Sequence, residues 1–330
     1  MHNDLPKACN LSITLSCMLR CKVCHHWQKD ESQMVRPKIE EWKDFLSSVN
    51  EAAGKDFTVV FGGGEPLLFP DQLVDLISFA SSLGFRTALA TSGHTISQEY
   101  ARCLFDTGLN NIDLTIFSME HKTHDFLRGV DGSLDRVLRA VDYLEKMDER
   151  LRIGINTIIM KPTLAGLLEL TDWVNANQRL SGINFQAITR PFHTPFIERW
   201  QEDGKYKFLW PDNTQEVAAV IDGIIAKKMK SYRIANPVAQ FETFKQFFAG
   251  PQDFVRKTAC NLANSSFFAL NSDGTLTLCP YLEPLGNISG NSFSNLWHSE
   301  LASQIKNKIN GCKVNCHHLI NCWFEEETNE

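Results

Sequence analysis

Short strand-like segments alternate with helix-like segments through the first 190 residues, and this alternation constrains the fold more than any other feature. The strand-like segments are rich in β-branched residues and are bounded by polar or glycine-containing stretches. They are residues 10–16, 57–61, 86–91, 111–117, 152–158 and 182–188. Six strand–helix repeats predict an α/β fold built on a parallel sheet.

Helical patterns fill the intervals between these strands. Apolar residues recur at helical spacing in residues 71–83 and 133–147, and Ser133 is a candidate N-cap. Because parallel crossovers are right-handed, the helices lie either outside a partial (β/α)6 barrel or on both faces of an open sheet. In either arrangement, ligands bind at the carboxyl ends of the strands.

The pattern changes after residue 190. Residues 190–212 are rich in proline and aromatic residues without a clean period, which is typical of a long functional loop. Helices are expected at 214–230 and near 241–248. The cysteine-rich region that follows has a small core, so we expect a bound metal to stabilise it. We therefore divide the chain into a barrel (1–190), an irregular loop and helical linker (191–255) and a cysteine-rich domain (256–330).

The charge balance excludes one large class of functions. The chain has 330 residues, with 33 Lys and Arg against 39 Asp and Glu, so its formal net charge is −6. A mildly acidic protein has no global field that would hold a polyanion, so nucleic acid is not an expected partner. The amino terminus lacks the pattern of a signal peptide, and no apolar stretch is long enough to span a membrane. We expect a cytoplasmic protein without a membrane partner.

Three cysteines follow the first strand at C-x3-C-x2-C spacing: Cys17, Cys21 and Cys24. Three thiolates on one loop can hold three irons of a [4Fe–4S] cluster and leave the fourth iron open. An open metal position is typical of a site that does chemistry. A zinc site is the alternative, because His25 and His26 could supply a fourth ligand.

This triplet resembles the signature of the radical S-adenosylmethionine (SAM) superfamily, whose fold is a partial (β/α)6 TIM-like barrel. In that family the open iron chelates SAM, which is cleaved to methionine and a 5′-deoxyadenosyl radical. The turn after the second strand resembles the family's GGEP motif. The resemblance implies that Gly63, Gly64, Glu65 and Pro66 meet the SAM amino group. Ser92 stands where the family often has asparagine.

Further SAM contacts are implied at later strand ends. The resemblance assigns Ser118 and Arg128 to the SAM carboxylate and ribose, and an Arg fork suits a carboxylate. Asn156 and Gln186, on strands five and six, are candidates for hydrogen bonds to ribose or substrate. Val23 departs from the family, which usually has an aromatic residue before the third cysteine, so the adenine contact at that position is weakened.

The carboxyl-terminal cysteines resemble the SPASM and twitch domains, which bind auxiliary iron–sulfur clusters. Cys260, Gly274 and Cys279 match the opening C-x(9–15)-G-x4-C. The other candidate ligands are Cys312, Cys316 and Cys322. Five cysteines are too few for two clusters, so we expect one auxiliary [4Fe–4S] cluster, with two of the last three cysteines completing its ligands.

Other histidines and cysteines have simpler interpretations. A zinc site is the alternative for the carboxyl-terminal region, with His317 and His318 as possible ligands. Cys9 and Cys103 are expected to be inert, and Cys103 to be a core residue of a helix.

Three functions follow from these features. The first is oxidation or dehydrogenation of a small molecule such as a sugar or aminocyclitol, by an enzyme that takes electrons from flavodoxin or ferredoxin. The second is modification of a peptide side chain, with leader recognition by a separate protein because only eight residues precede Cys9. The third is a non-catalytic iron–sulfur scaffold.

One peptide-oxidising branch of the family has, at the position of Pro280, an Asp that serves as a base. A base in this chain would have to come from elsewhere, and the unranked candidates are Asp273, Glu283, His193 and Glu198.

Overall fold

A computed structural model describes residues 5–195, 197–255, 260 and 267–322. Within these ranges, nine strands form one sheet in the order β6-β5-β4-β3-β2-β1-β7-β8-β9. They are β1 (Ala8–Thr14), β2 (Thr58–Gly63), β3 (Arg86–Thr91), β4 (Asn111–Thr115), β5 (Arg152–Ile159), β6 (Leu180–Ala187), β7 (Phe267–Leu270), β8 (Thr275–Thr277) and β9 (Gly286–Asn287).

Helices follow most of the strands. They are α1 (Ile39–Ala53), α2 (Pro70–Ser82), α3 (Gln98–Asp106), α4 (His121–Arg128), α5 (Ser133–Leu144), α6 (Leu167–Ala176), α7 (Thr214–Met229), α8 (Val238–Ala249), α9 (Phe293–Trp297), α10 (Glu300–Asn310) and α11 (His317–Asn321). Short 3-10 turns are His26–Gln28, Pro66–Leu68, Lys161–Gly166, Trp200–Glu202 and Lys207–Leu209. None of the helices in this part of the chain has the length and apolar character needed to cross a bilayer.

The first six strands confirm the α/β prediction. They are parallel and lie side by side in sequence order, so every crossover runs in the same direction and the helices cover one face. This is the partial-barrel alternative rather than the doubly wound sheet. The N-cap prediction for α5 was wrong: Gly132 occupies that position in the left-handed region, and Ser133 is the first helical residue.

Side chains alternate along each strand between a face that packs against the helices and a concave face. A continuous buried row crosses the sheet in register: Leu11, Phe61, Leu89, Ile112 and Ile153. This row faces the helices, where burial of apolar area stabilises the barrel. On the opposite face, the neighbouring positions include the half-buried polar residues Asn10, Asn111 and Asp113.

The cysteine-rich region joins the same sheet. Strand β7 pairs in parallel with β1, from Ala8 opposite Phe267 to Leu11 opposite Leu270. The β7–β8 hairpin then turns at the carboxyl end of β1, with Gly274 at φ 81°. Its turn therefore lies at the edge of the sheet where parallel strands place ligands.

The outer edge of β6 is covered by side-chain amides. Asn321 accepts from the Ala187 amide at 2.7 Å and donates to the Ala187 carbonyl at 3.0 Å. Asn236 makes the same pair of bonds with Phe185 at 2.7 and 2.8 Å. Gln240 links the two amides by accepting from Asn236 and donating to the Asn321 carbonyl. These bonds satisfy an edge that would otherwise remain open.

Asn321→Ala is expected to lower the free energy of unfolding by about 1–3 kcal/mol, because it leaves a buried amide and a buried carbonyl of Ala187 unpaired. Urea denaturation followed by circular dichroism measures the change. The matched control is Asn307→Ala, on an exposed face of α10. Equal stability of the two variants would contradict the edge-covering role.

Candidate iron–sulfur and SAM site

The loop that carries the first three cysteines rests on the end of α4. The Arg20 and Lys22 amides donate to the carbonyls of Arg128 and Leu127 at 2.9 and 2.8 Å. Gly129 makes this approach possible: its φ is 67°, and a Cβ there would collide with the Arg20 carbonyl oxygen. The cysteine loop is thus fixed by backbone contacts on both sides of Cys21.

The thiols of Cys17, Cys21 and Cys24 lie close enough to influence one another. Burial raises the pKa of Cys17 to about 11 and that of Cys24 to about 12, and the neighbouring thiols add to both shifts. Three negative charges so close together need a compensating cation, which cluster irons provide when they bind. The Cys24 Sγ also lies 3.1 Å from His26 Nδ1.

Among the described residues, no three His, Cys, Asp or Glu side chains are gathered around a point that could hold a single metal ion. A zinc ion requires such convergence, because its ligands lie about 2.0–2.3 Å from one centre. A cube binds each thiolate to a different iron and does not require it. Three thiols that are carried on one loop and act on one another electrostatically fit a ligand set for three irons of a cube.

Arg128 places a fixed positive charge beside this set. Its Nη1 lies 3.7 Å from Cys21 Sγ, and its Nη2 donates to the Thr115 carbonyl at 2.5 Å. The guanidinium also packs 4.6 Å from the centroid of Phe117. Its buried Nε has no hydrogen-bond partner among the described residues.

The GGEP turn packs directly against the cysteine loop. The Gly64 and Glu65 amides donate to the Thr14 and Ser16 carbonyls at 2.6 and 2.9 Å. A Cβ on Gly64 would collide with the Ser16 carbonyl oxygen, so glycine is required for this contact. Pro66 begins the short turn that follows.

The Glu65 carboxylate is 1% exposed and is fixed by the ends of two neighbouring strands. Oε1 accepts from Thr91 Oγ1 at 2.6 Å and from the Leu67 amide at 3.2 Å. Oε2 accepts from both the amide and the hydroxyl of Ser92, at 3.0 and 2.5 Å. Two hydrogen bonds therefore join Ser92 to Glu65. The Glu65 charge also acts on the Cys17 thiol.

The remaining predicted SAM contacts lie farther along the sheet. Ser118 is buried three residues beyond β4, and its hydroxyl accepts from the Glu120 amide at 3.0 Å. Asn156 accepts from Asn184 Nδ2 at 3.0 Å on the concave face, and Gln186 lies two positions after Asn184 on that face. The structure gives neither Asn156 nor Gln186 a direct contact with the first cysteine set among the described residues.

A cavity of about 490 Å³ gathers four of the five carboxyl-terminal cysteines: Cys260, Cys279, Cys312 and Cys316. Burial raises the pKa of Cys316 to about 11, with further contributions from the thiols of Cys260 and Cys279. Burial also raises the pKa of Cys279, with contributions from Cys260 and Cys312. Four mutually close thiols match the ligand count of a closed cluster.

Cys322 and the two candidate histidines differ in their relation to this cavity, because His317 and His318 line it. Cys322 is the C-cap of α11 and does not line the cavity. The His317 Nδ1 lies 3.1 Å from Asn321 Nδ2, and burial lowers the pKa of His317 to about 3. His317 therefore lines the cavity and also joins the network that covers the edge of β6.

One residue of the irregular loop touches both cysteine regions. The Phe192 amide donates to the Val23 carbonyl at 3.2 Å, and its carbonyl accepts from the His25 amide at 2.9 Å. The Phe192 ring lies 4.6 Å from the ring of His317, next to Cys316. The loop after β6 thus connects the two cysteine regions at the carboxyl end of the sheet.

The candidate bases have different surroundings. His193 packs against His26 with ring centroids 3.9 Å apart, and Glu198 lines the cavity. Asp273 accepts from Thr275 within the β7–β8 turn, and Glu283 pairs with Lys308 on the surface.

The prediction that Cys103 is a core residue was wrong. The buried face of α3 is formed by Ala101, Leu104 and Phe105, which leaves Cys103 exposed on the opposite side. Cys9, in contrast, is fully buried in β1, and burial raises the pKa of its thiol. It is an inert core thiol, as expected.

Sequence reasoning missed Glu31, which is 8% exposed and organises the start of the cysteine loop. It accepts from the Leu15 and Ser16 amides at 2.9 and 3.1 Å, and it pairs with Arg36 at 2.5 Å. It also accepts from Ser272 in the β7–β8 turn at 2.7 Å. Burial opposes ionisation, but hydrogen bonds from Thr14, Leu15, Ser272 and Ser16 outweigh it and lower the pKa of Glu31 to about 2.

Glu31→Gln is expected to lower the free energy of unfolding at pH 7 by about 1.5–3 kcal/mol, because charged hydrogen bonds become neutral ones. The ordinary pKa is 4.5 and the folded value is about 2, so this stability is present above pH 4.5 and is lost as pH falls through 2.

Urea denaturation at several pH values measures the difference between wild type and Glu31→Gln. The exposed Glu149→Gln is the control. A difference that stays constant between neutral and strongly acid pH would contradict the role of the Glu31 charge.

Two family models match the chain. The model of the radical SAM superfamily matches residues 11–174, and the model of SPASM, an iron-sulfur cluster-binding domain, matches residues 260–323. With the partial barrel and the two cysteine regions, these matches define the class: the chain belongs to the radical SAM superfamily and carries a carboxyl-terminal SPASM domain. This class binds a [4Fe–4S] cluster, SAM and auxiliary iron–sulfur clusters.

Two curated relatives and one solved structure are similar to this chain. The AdoMet-dependent heme synthase of Methanosarcina barkeri is 28% identical over 185 residues, which cover 56% of this chain and 51% of the relative. The PqqA peptide cyclase of Bradyrhizobium diazoefficiens is 28% identical over 166 residues, covering 50% and 42%. The chain thus matches about half the length of these relatives. The structure of Streptococcus suis SuiB bound to precursor peptide SuiA has a TM-score of 0.68 at 14% identity and covers 97% of this chain and 71% of SuiB.

Proposed function

We propose that this protein is a radical SAM enzyme that abstracts hydrogen from a side chain of a peptide. The observation that carries the proposal is that Phe192 contacts both cysteine regions. The concave face of the sheet therefore lies between two candidate cluster sites. When bound and reduced, the first cluster supplies the electron that cleaves SAM.

Cys17, Cys21 and Cys24 hold the first cluster in this proposal, and Arg128 offsets part of its negative charge. Its Nη1 lies 3.7 Å from Cys21 Sγ, so the positive charge is adjacent to this ligand. The Phe117 ring and the Thr115 carbonyl hold the Arg128 guanidinium beside the cysteine loop. In this proposal the Arg128 guanidinium, whose buried Nε has no partner among the described residues, pairs with the SAM carboxylate.

The GGEP turn orients the SAM amino group. Gly63 and Gly64 bring the backbone close to the cysteine loop, and Pro66 ends the turn. Glu65 presents a negative charge that Thr91 and Ser92 hold in a single orientation. A pre-oriented carboxylate binds an ammonium group with a smaller loss of side-chain entropy.

Ser118, Asn156 and Gln186 provide hydrogen-bonding groups for ribose or substrate. The concave row Thr115, Asn156 and Asn184 crosses three neighbouring strands in register. Amide and hydroxyl groups in such a row can pair with the backbone of an extended peptide.

The auxiliary cluster is held by Cys260, Cys279, Cys312 and Cys316, which line one cavity. In this proposal Cys312 and Cys316, rather than Cys322, complete the ligands, because both line the cavity.

The relatives support a peptide over a sugar or aminocyclitol. The PqqA peptide cyclase and SuiB with its precursor peptide carry peptides in their names. A small-molecule substrate is the second candidate, because the relative from Methanosarcina barkeri makes heme. Both substrates fit the same radical chemistry, so the experiment must separate them by the source of the abstracted hydrogen.

The test transfers deuterium from substrate to 5′-deoxyadenosine. Cells of the source organism that lack this gene are grown in deuterated medium, and their extract is divided by ultrafiltration into peptides and metabolites. Each fraction is incubated with reconstituted protein, SAM and dithionite. We expect deuterium in 5′-deoxyadenosine from the peptide fraction, and loss of the label after protease treatment of that fraction. Label from the metabolite fraction alone would overturn the peptide proposal.

A further inference from the structure

We propose that His26 is a positioning residue of the first cysteine site. Its imidazole donates a hydrogen bond to Cys24 Sγ, His193 holds the imidazole in place, and the bond raises the reduction potential of a cluster bound there. The inference rests on the proposed function, in which the first cluster is reduced before SAM is cleaved.

The imidazole of His26 lies within hydrogen-bond distance of one ligand sulfur. Its Nδ1 is 3.1 Å from Cys24 Sγ, and the His26 amide donates to the same sulfur. A thiolate bound to iron carries no hydrogen, so the hydrogen of the Nδ1 bond must be on the imidazole. His26 therefore offers Cys24 two N–H donors, one from the backbone and one from the side chain.

Backbone hydrogen bonds fix the position of His26. It begins the short turn His26–Gln28, and its carbonyl accepts from the Lys29 amide at 2.8 Å. The amide of the preceding His25 donates to the Phe192 carbonyl at 2.9 Å. The side chain of His26 therefore starts from a backbone that is held on both sides.

The loop after β6 brings a second imidazole to the same place. Phe192 pairs with the cysteine loop through its amide and its carbonyl, and His193 is the next residue. The ring centroids of His193 and His26 lie 3.9 Å apart, and the two rings are tilted by 44°. His193 is exposed whereas His26 is half-buried, so the ring of His193 covers part of the ring of His26.

His193 has a backbone conformation that few residues adopt. Its φ is 59°, and among the described residues other than glycine only Ser231 also has a positive φ. His193 is the third residue of a turn in which the amide and the hydroxyl of Thr194 donate to the Pro191 carbonyl at 3.4 and 2.7 Å. Such conformations persist where surrounding contacts require them, and they concentrate at functional sites. The turn thus keeps the ring of His193 against His26.

The direction of the expected effect follows from charge. Reduction makes the sulfur ligands of a cluster more negative, so an N–H donor binds them more strongly in the reduced state. Hydrogen bonds to the sulfurs are one of the means by which a protein sets the potential of a cluster. The bond from His26 therefore favours the reduced state. It is distinct from the contact of Arg128, which lies beside Cys21.

The test measures the midpoint potential of the first cluster in reconstituted protein, by redox titration followed by electron paramagnetic resonance. The signal of this cluster is the one that addition of SAM alters. His26→Asn places an amide nitrogen near the position of Nδ1, His26→Gln places it near the position of Nε2, and His26→Phe keeps only an apolar ring.

Two further variants complete the set. His193→Gly removes the second ring at a φ that glycine adopts freely. His298→Phe is the matched control, because His298 is an exposed histidine at the end of α9. Iron content is measured for every sample.

We expect His26→Phe and His26→Gln to lower the midpoint potential by about 59 mV, which is a tenfold change in a one-electron equilibrium. His26→Asn should stay close to wild type because it retains the donor. His193→Gly should give a smaller shift in the same direction, and His298→Phe none. With dithionite, His26→Phe should form 5′-deoxyadenosine more slowly than wild type, and the stronger reductant titanium(III) citrate should restore the rate.

A wild-type potential in His26→Phe would overturn the proposal, and so would equal shifts in His26→Asn and His26→Phe. If His26→Phe does not bind iron, the comparison of His26→Gln with His26→Asn decides in the same way. A wild-type potential in His193→Gly would contradict the role of His193. Failure of the proposed function looks different, because the potentials would follow the expected order while no deuterium reaches 5′-deoxyadenosine from the peptide fraction.

Discussion

Replacing Cys17, Cys21 and Cys24 together by alanine is expected to reduce SAM cleavage to background and to leave iron only at the second site. The three thiols belong to one loop, influence one another, and lie beside Arg128 and Glu65. Without them, no other described group could hold a cluster next to the GGEP turn. Anaerobic reconstitution followed by 5′-deoxyadenosine quantification and iron analysis measures both effects.

The matched control for the triple variant is Cys103→Ala. Cys103 is exposed on α3, where its loss removes a thiol without disturbing either cysteine region. We expect wild-type cleavage and iron content in this control. Substantial 5′-deoxyadenosine production by the triple variant would contradict the assignment of these three cysteines.

The second large effect is expected at the auxiliary site. Cys312→Ser with Cys316→Ser should lower iron content by about four atoms per chain, because both thiols line the four-cysteine cavity. Cys322→Ser should change it little, since Cys322 caps α11 outside that cavity. Iron and sulfide analysis and Mössbauer spectroscopy of the three proteins measure the difference.

A loss of iron in Cys322→Ser as large as in the double variant would contradict the four-cysteine assignment. The first cluster provides an internal control, because its ligands are unchanged in both proteins. Its contribution to the Mössbauer spectrum should persist in every sample.

The sequence was most informative where structure depends on neighbouring residues. Strand periodicity predicted the six parallel strands, with β1 placed two residues late because its pairing with β2 and β7 begins at Ala8. The GGEP turn follows β2 as expected, since close backbone approach to Ser16 requires glycine. These features depend on local pattern and backbone sterics, which a sequence displays directly.

The sequence was least informative where contacts join distant segments. Ser272 lies 241 residues after Glu31, and Asn321 lies 134 residues after Ala187, so no local pattern marks either pair. The proposal of Cys312 and Cys316 rather than Cys322 as ligands likewise rests on a cavity that joins segments far apart in the sequence. Cys103 was misplaced because its helix turns a different face toward the core.

The most direct test of the central claim is anaerobic. The wild-type protein is reconstituted with iron and sulfide and given SAM and dithionite, and 5′-deoxyadenosine is quantified by mass spectrometry against a sample without reductant. The account predicts 5′-deoxyadenosine that depends on both reductant and Cys17, Cys21 and Cys24. A protein that retains no iron or sulfide and binds zinc instead would contradict it.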